Sequence, residues 1–258
     1  GGNATIGTAA ANGAKLAIKE INANGGLLGK QIKAVVADNK SEPSEAANAM
    51  TKLLTQDRVV AVTGTFSSSN AIAAASVAEA NKSPYLVAGA TNPKVTVDEK
   101  TKNVKKYIYR VCFIDPFQGT VAANFAAKDL KVKKAAMLVD NSSDYSKGLA
   151  EFFEAALKKE GGEIVANEAY LQKDTDFKAT LTKIKSKGAE VLYVPGYYEE
   201  VGKIVKQARE MGITVPIIGA DGWDSPKLVE IASVSALNNT YFTNHYSVED
   251  TSPKAQAF

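Results

Sequence analysis

The 258-residue sequence predicts an α/β protein with two doubly wound parallel-sheet lobes joined by a hinge. Strand-like and helix-like segments alternate along the whole chain, a pattern typical of parallel sheets with helices on both faces. Two such series of segments meet near Asp115. We therefore predict a first lobe formed by residues 1–116 together with 245–258, and a second lobe formed by residues 117–244.

The clearest strand–helix unit lies at residues 58–80. Residues 59–62 are apolar and mostly β-branched, which favours a strand buried on both faces. Gly64 permits a turn, and residues 67–70 (SSSN) are strong N-caps for the Ala-rich helix that follows. A helix start with free N–H groups and hydroxyls can bind a carboxylate or phosphate. Serines that only cap the helix would give the same pattern.

The remaining segments follow the same alternation. In the first lobe we predict helices at 12–22 and 43–54, strands at 31–37, 84–88 and 107–113, and a solvated excursion at 95–106. In the second lobe we predict strands at 135–139, 163–170, 190–194, 216–219 and 241–246, separated by helices near 118–130, 145–160, 177–187, 199–211 and 227–232.

Composition disfavours several classes of function. The net charge is only +3 and the lysines are dispersed, so no nucleic-acid partner is expected. No apolar run is long enough to span a bilayer. One cysteine and one histidine exclude a Cys/His zinc site, and we expect no metal. The sequence lacks G-x-S-x-G, G-x-G-x-x-G and P-loop motifs, so we expect no cofactor and no enzymatic activity.

The loops that follow the strands indicate the ligand. In open α/β sheets ligands bind beyond the carboxyl ends of the strands, so two facing lobes would place both sets of loops around one cleft. Loops 65–70 and 89–91 offer hydroxyls and amides suited to an anion. Loops of the second lobe offer aromatic side chains and the carboxylate of Asp221. A ligand with an anionic end, a cationic end and an apolar body would use both sets, and an amino acid has all three.

Seven segments stand out, in order along essentially the whole chain: residues 12–32 (NGAKLAIKEINANGGLLGKQI), 59–69 (VVAVTGTFSSS), 88–93 (AGATNP), 115–119 (DPFQG), 140–148 (DNSSDYSKG), 194–200 (VPGYYEE) and 218–224 (IGADGWD). In these segments the sequence resembles the branched-chain amino-acid-binding proteins of ABC importers, which have the type I periplasmic-binding fold.

The resemblance implies that the loop Ser67–Ser69 binds the ligand carboxylate, with Ser68 at the family's serine. It also implies that Asp221, where the family often has Glu, pairs with the ammonium. It further implies a carbonyl from Gly89, a hydroxyl from Thr91, and closure by tyrosines from the other lobe. The complete set of expected ligand-binding residues is Ile6, Ser67, Ser68, Gly89, Ala90, Thr91, Tyr145, Tyr197, Asp221 and Trp223.

Some of these residues have a second interpretation. Tyr145 could serve ordinary helix-start packing. Of the adjacent Tyr197 and Tyr198, one could face the cleft and the other the core. Asp221 beside a glycine could form a turn. Trp223 either lines the pocket rim or fills the lobe surface. Ile6 lies where the family often has an aromatic residue that covers the ligand. Beyond the expected set, hinge or helix-start roles are predicted for Asp115 and Gln118, and structural roles for Cys112 and His245.

The resemblance implies an extracytoplasmic solute-binding protein, in the periplasm or anchored at the cell surface. It would capture a branched-chain or other aliphatic amino acid by hinged closure and deliver it to the permease of an ABC importer. A sensory or receptor domain of the same fold is the alternative. We expect a monomer, and we expect the chain to lack the family's first strand and C-terminal part as an excerpt of a longer polypeptide. That excerpt would be either a trimmed chain or one part of a split or permuted protein whose missing strands come from another segment.

Overall fold

The structure, a computed structural model, describes residues 1–247 and 249–257. The chain divides into two compact units, Gly1–Asp115 with Ser142–Gly148, and Pro116–Asn141 with Leu149–Phe258. Residues 245–258, which we predicted to join the first lobe, group here with the second unit. Of these, residues 248 and 258 lie outside the described residues. The lobe boundaries of the intact protein stay a prediction.

The first unit contains a three-stranded parallel sheet in the order β1 (Val62–Gly64), β2 (Tyr85–Val87) and β3 (Ile108–Arg110). Its helices are α1 (Ala4–Ala23), α2 (Pro43–Thr55) and α3 (Ser68–Ala80). The core consists of alanines of α3, Met50 of α2 and the buried strand residues Tyr85, Val87 and Ile108. Small alanine side chains let α3 lie close to the sheet, so the start of α3 is held beside the ends of the strands.

Two predicted features of the first unit are wrong. Residues 31–37 form no strand among the described residues, because no neighbouring strand shares a ladder of hydrogen bonds with them. The side chain of Asn22 instead bonds the Ile32 amide and carbonyl, at 2.7 and 2.9 Å. In the run 59–62 only Val62 lies in β1, and Val60 is 91% exposed rather than buried. Helix α1 also begins eight residues earlier than predicted, since residues 4–11 include good helix formers.

The second unit contains a five-stranded parallel sheet in the order β5-β4-β6-β7-β8. The strands are β4 (Lys134–Asp140), β5 (Glu163–Tyr170), β6 (Val191–Tyr193), β7 (Ile217–Gly219) and β8 (Thr240–Phe242). The helices are α4 (Asp115–Asn124), which continues as a π-helix at Phe125–Asp129, α5 (Asp144–Lys159), α6 (Lys178–Ser186), α7 (Tyr198–Glu210), α8 (Pro226–Ala232) and α9 (Pro253–Ala257).

This strand order reverses direction between β4 and β6, as in a doubly wound sheet. Ligands of such sheets bind beyond the carboxyl ends of the strands at the reversal, and the loop after β6 lies at this point. The last predicted strand, 241–246, is shorter than expected, because β8 ends at Phe242 and pairs only with β7.

Arg209 of α7 fixes the chain just before β7 and just before β8. Its guanidinium donates to the carbonyls of Ile213 and Val215 at 2.7 and 2.8 Å. It also donates to three carbonyls just before β8, those of Ala236, Asn238 and Asn239. A planar fork of donors can serve several carbonyls at once, which a lysine ammonium cannot do in the same geometry.

We expect Arg209→Met to destabilise the protein by about 2 kcal/mol or more, because buried carbonyls lose charge-assisted donors. Urea unfolding followed by circular dichroism measures this change. The matched control is Lys206→Met on the same helix, which removes an exposed cation and should leave stability within about 0.5 kcal/mol. Equal effects of the two substitutions would contradict this role for Arg209.

Candidate functional site

In the first unit, the turn between β1 and α3 leaves the start of the helix open. Gly64 and Thr65 adopt positive φ angles of 130° and 60°, and Ser67 occupies the N-cap position in an extended conformation. Among the described residues the Ser67 side chain makes no capping hydrogen bond. The first intrahelical bond runs from the Ala71 amide to the Ser67 carbonyl, so the amides of residues 68–70 precede it. These amides, at the positive end of the helix dipole, suit an anion.

The loop after β2 lies directly beside this helix start. The Ala88 amide donates to the Gly64 carbonyl at 3.0 Å, and the Asn92 amide donates to the Ser68 hydroxyl at 3.2 Å. Because Ser68 accepts this bond, its own O–H is directed elsewhere. The Thr91 hydroxyl is fully buried and has no hydrogen-bond partner within the part of the chain that the structure describes. The structure therefore holds the loop at residues 88–92 beside the turn before α3 and beside Ser68. The ligand contacts of Ser67, Ser68 and residues 89–91 stay a prediction.

Tyr145 belongs to the same unit as these loops. The preceding residue, Asp144, accepts a hydrogen bond from the Ser69 hydroxyl at 2.9 Å and donates its amide to that hydroxyl at 3.0 Å. The Asp144 carbonyl also accepts from the Asn92 side chain at 2.7 Å. These bonds group residues 142–148 with the first unit, whereas we expected Tyr145 to approach from the other lobe. Its role in ligand binding stays a prediction.

Two supporting residues were not identified from the sequence. Arg110 at the end of β3 donates to the carbonyls of Ala90 and Asn92, at 2.9 and 2.8 Å, and so holds the loop after β2. Burial lowers the pKa of this guanidinium from its ordinary value. Asn92 links the loop to both helix starts. The available signals were one arginine in the apolar run YIYRVCF and an asparagine before a proline.

Gly89 and Ile6 have different surroundings. The ring of Phe66 lies over Gly89, where an added Cβ would be 2.2 Å from the ring. Gly89 is therefore required by close packing, and its predicted carbonyl contact is not tested by this packing. Ile6 is buried in α1, which lies beside β1, and its role as a cover for the ligand also stays a prediction.

In the second unit, Asp221 begins a 3-10 turn, Asp221–Trp223, after β7. Its side chain is 1% exposed. The Asp221 amide donates to the Gln118 Oε1 at 2.9 Å, and its carboxylate Oδ2 lies 3.0 Å from His245 Nε2. A buried carboxylate with a hydrogen-bonded backbone has one fixed direction, so it can select a cationic group by position.

Trp223, in the same turn, is packed inside the second unit. Its indole N–H donates to the Val194 carbonyl at 3.0 Å, and its ring lies over Gly219, where a Cβ would be only 1.9 Å away. The Phe242 ring is stacked nearby, with centroids 6.2 Å apart. Of the two interpretations of Trp223, this packing favours a filling role, and a ligand contact stays a prediction.

Tyr197 follows β6 and occupies the N-cap position of α7. Tyr197 and Tyr198 are both buried, so burial does not separate a ligand-facing tyrosine from a core one. The Tyr170 hydroxyl lies over Gly196, and burial raises the pKa of Tyr170 well above its ordinary value. Burial also raises the pKa of Glu200, whose carboxylate accepts the Lys173 amide at 2.9 Å. The loop after β6 is therefore desolvated.

Two features are absent from the described residues, a membrane-spanning helix and a metal-binding cluster. None of their helices combines the length and hydrophobicity needed to cross a bilayer. They also contain no group of three or more His, Cys, Asp or Glu side chains placed to hold a metal ion.

Comparison with known proteins gives consistent matches. The model of a family described as periplasmic binding protein matches residues 1–258. An amino acid binding protein of Pseudomonas aeruginosa is 37% identical over 232 residues, which is 90% of this chain and 60% of that protein. A Leu/Ile/Val-binding protein of Rhizobium johnstonii is 34% identical over 93% of this chain and 64% of its own length. The chain thus spans about three-fifths of these curated relatives.

Among solved structures, the chain is similar to a branched-chain amino acid transporter substrate-binding protein of Streptococcus pneumoniae, in complex with isoleucine. The TM-score is 0.90 and the identity 43%, over 100% of this chain and 72% of that one. A leucine-binding protein of Thermotoga maritima gives a TM-score of 0.87 at 37% identity, over 93% of this chain and 67% of that one.

We expect Gly89→Ala to destabilise the protein by about 1–3 kcal/mol, because the added methyl group must displace the Phe66 ring. Thermal unfolding measures the loss. Gly7→Ala is the matched control, since a Cβ at this position in α1 meets nothing within 4 Å. A Gly89→Ala protein as stable as Gly7→Ala would show that the contact with Phe66 is not required.

Proposed function

The chain belongs to the periplasmic binding protein family, and we propose that it is the ligand-capturing portion of an extracytoplasmic solute-binding protein for a branched-chain or other aliphatic amino acid. The observation behind the proposal is the open start of α3, which lies beside the buried Thr91 hydroxyl that has no protein partner in the described chain. A buried hydroxyl without a partner costs stability unless a ligand satisfies it.

The proposal assigns the ligand carboxylate to the first unit. The amides of the first turn of α3 and the hydroxyls of Ser68 and Thr91 are the donors on this side. Together they can bind a carboxylate without a basic side chain, since the helix dipole and oriented amides supply the positive potential. Several donors share the charge, so no single hydroxyl is indispensable.

The proposal assigns the ligand ammonium to Asp221 in the second unit. A carboxylate that is almost fully buried keeps its charge at low cost only when donors surround it. An ammonium group supplies both charge and donors. The aspartate has a shorter side chain than the glutamate that is frequent in the family. The hydrogen bond from its backbone amide to Gln118 fixes the backbone position from which the carboxylate extends.

The preference for an aliphatic side chain comes from the relatives. One is named a Leu/Ile/Val-binding protein, and a solved relative contains isoleucine. Leucine, isoleucine and valine differ by methyl placement, which changes affinity by about 1–3 kcal/mol in an apolar pocket. We therefore propose a class of ligand rather than one amino acid.

We propose hinged closure as the mechanism, with delivery to the permease of an ABC importer at the outer side of the membrane. A ligand that shifts a protein from mostly open to mostly closed must bind the closed state with a preference of about 5.5 kcal/mol. The ammonium–carboxylate pair would supply much of it if it forms only on closure, since breaking such a buried pair costs about 3–5 kcal/mol. Contacts present in both states would contribute nothing to closure.

The function is tested by isothermal titration calorimetry of the intact protein with leucine, isoleucine and valine. Wild type should bind at least one of them, and Asp221→Asn should weaken that binding about hundredfold or more, because the ammonium loses its buried counterion. Asp129→Asn, which changes an exposed carboxylate of the same unit, is the matched control and should bind as wild type does. Unchanged affinity of Asp221→Asn would refute the ammonium assignment.

Ser68→Ala should weaken binding of the same amino acid less, by about tenfold, because the amides of α3 and the Thr91 hydroxyl remain. Ser76→Ala, on the exposed side of the same helix, should have no effect on affinity. Complete loss of binding in Ser68→Ala would mean that the hydroxyl, and not the helix start, dominates carboxylate binding.

A further inference from the structure

His245 contacts the carboxylate on which the proposed function depends. Its Nε2 lies 3.0 Å from Asp221 Oδ2, with 30% of the imidazole side chain exposed and only 1% of the aspartate. The sequence suggested no more than a structural role for this histidine. Because His245 lies beside this buried carboxylate, a cationic ligand that binds Asp221 would share the carboxylate with the imidazole.

The imidazole is held in place by its neighbours along the chain. The Asn244 side chain donates to Asp224 Oδ2 at 2.9 Å and accepts the His245 amide at 2.8 Å. The Thr243 hydroxyl donates to Gln118 Oε1, the same oxygen that accepts the Asp221 amide. Residues 243–245 and the turn that starts at Asp221 are thus joined by hydrogen bonds through shared partners.

The chemistry of the two groups determines which of them holds the proton of this hydrogen bond. An ionised carboxylate only accepts hydrogen bonds, so His245 Nε2 holds a proton in this contact. With that proton the ring is neutral, and with a second proton on Nδ1 it is charged; imidazole is the side chain that changes charge near neutral pH. The charged groups that face it in the described contacts are Asp221 directly and Asp224 through Asn244. When the ring is charged, it already neutralises Asp221.

We propose that His245 positions the Asp221 carboxylate and makes amino-acid capture dependent on pH. This inference rests on the proposed function, in which Asp221 binds the ligand ammonium. A neutral imidazole adds no positive charge beside the Asp221 carboxylate, whereas an imidazolium competes with the ammonium for that carboxylate and repels the incoming cation. Binding therefore favours the neutral ring.

The sign of the pH dependence follows from this preference. If the ligand binds better to the form with neutral His245, ligand binding releases a proton from the ring at any pH where the free ring is charged. Affinity is then highest above that range and decreases as the pH decreases. His245 is the only histidine in the 258 residues, so its substitution removes every imidazole of this chain at once.

The test is calorimetric titration of the intact protein with leucine, isoleucine or valine, whichever binds, at about pH 5.5 and about pH 8. The Kd of the wild type should be higher at the lower pH by a factor of about five or more, a typical size for coupling between two sites. In His245→Gln the carboxamide can still donate to Asp221 but cannot become charged, so the ratio of the two Kd values should be close to one. Cys112→Ser, which removes the single thiol, should keep the wild-type ratio.

A second measurement does not depend on the folding of any variant. The ring resonance of His245 in the wild-type protein is followed by nuclear magnetic resonance against pH, with and without saturating amino acid. The proposal requires that ligand shift the midpoint of this titration to lower pH. The same midpoint in both states, or the same Kd ratio in wild type and His245→Gln, would overturn it. Wild type that binds none of these amino acids at either pH would instead contradict the proposed function.

Discussion

Hydrogen bonds between polar side chains and the backbone, at the carboxyl ends of the parallel strands, hold the loops of the candidate site in each unit. A loop that leaves a strand has unpaired amides and carbonyls, and buried ones must find partners. Ser68 and Asn92 provide them in the first unit, and Gln118 provides one in the second. The loops of the candidate site are consequently held by side chains that are not themselves all proposed to touch the ligand.

The two units use opposite electrostatic means. In the first unit the positive potential comes from oriented amides, with no basic side chain in the expected set, so little desolvation cost is incurred before a ligand binds. In the second unit the Asp221 carboxylate is buried beside His245, on a backbone that Gln118 holds. The zwitterion of the proposed function would use both environments, whereas a simple anion or cation would use only one.

Much of this arrangement could be predicted from the sequence, because alternating apolar and amphipathic segments determine which loops follow parallel strands. That logic located Ser68, Thr91 and Asp221 at strand ends. It failed for residues 31–37, since a strand exists only with a paired neighbour, which local pattern does not reveal. It also missed Arg110 and His245, whose importance depends on partners distant in sequence.

The packing of Trp223 has a spectroscopic consequence. It is the single tryptophan of the 258 residues, and its indole is enclosed by Gly219, the Val194 carbonyl and Phe242. The same short turn begins with Asp221, two residues away. A rearrangement of that turn that moves Trp223 would alter the polarity around the indole, so the tryptophan fluorescence of this 258-residue chain reports on the turn that begins with Asp221.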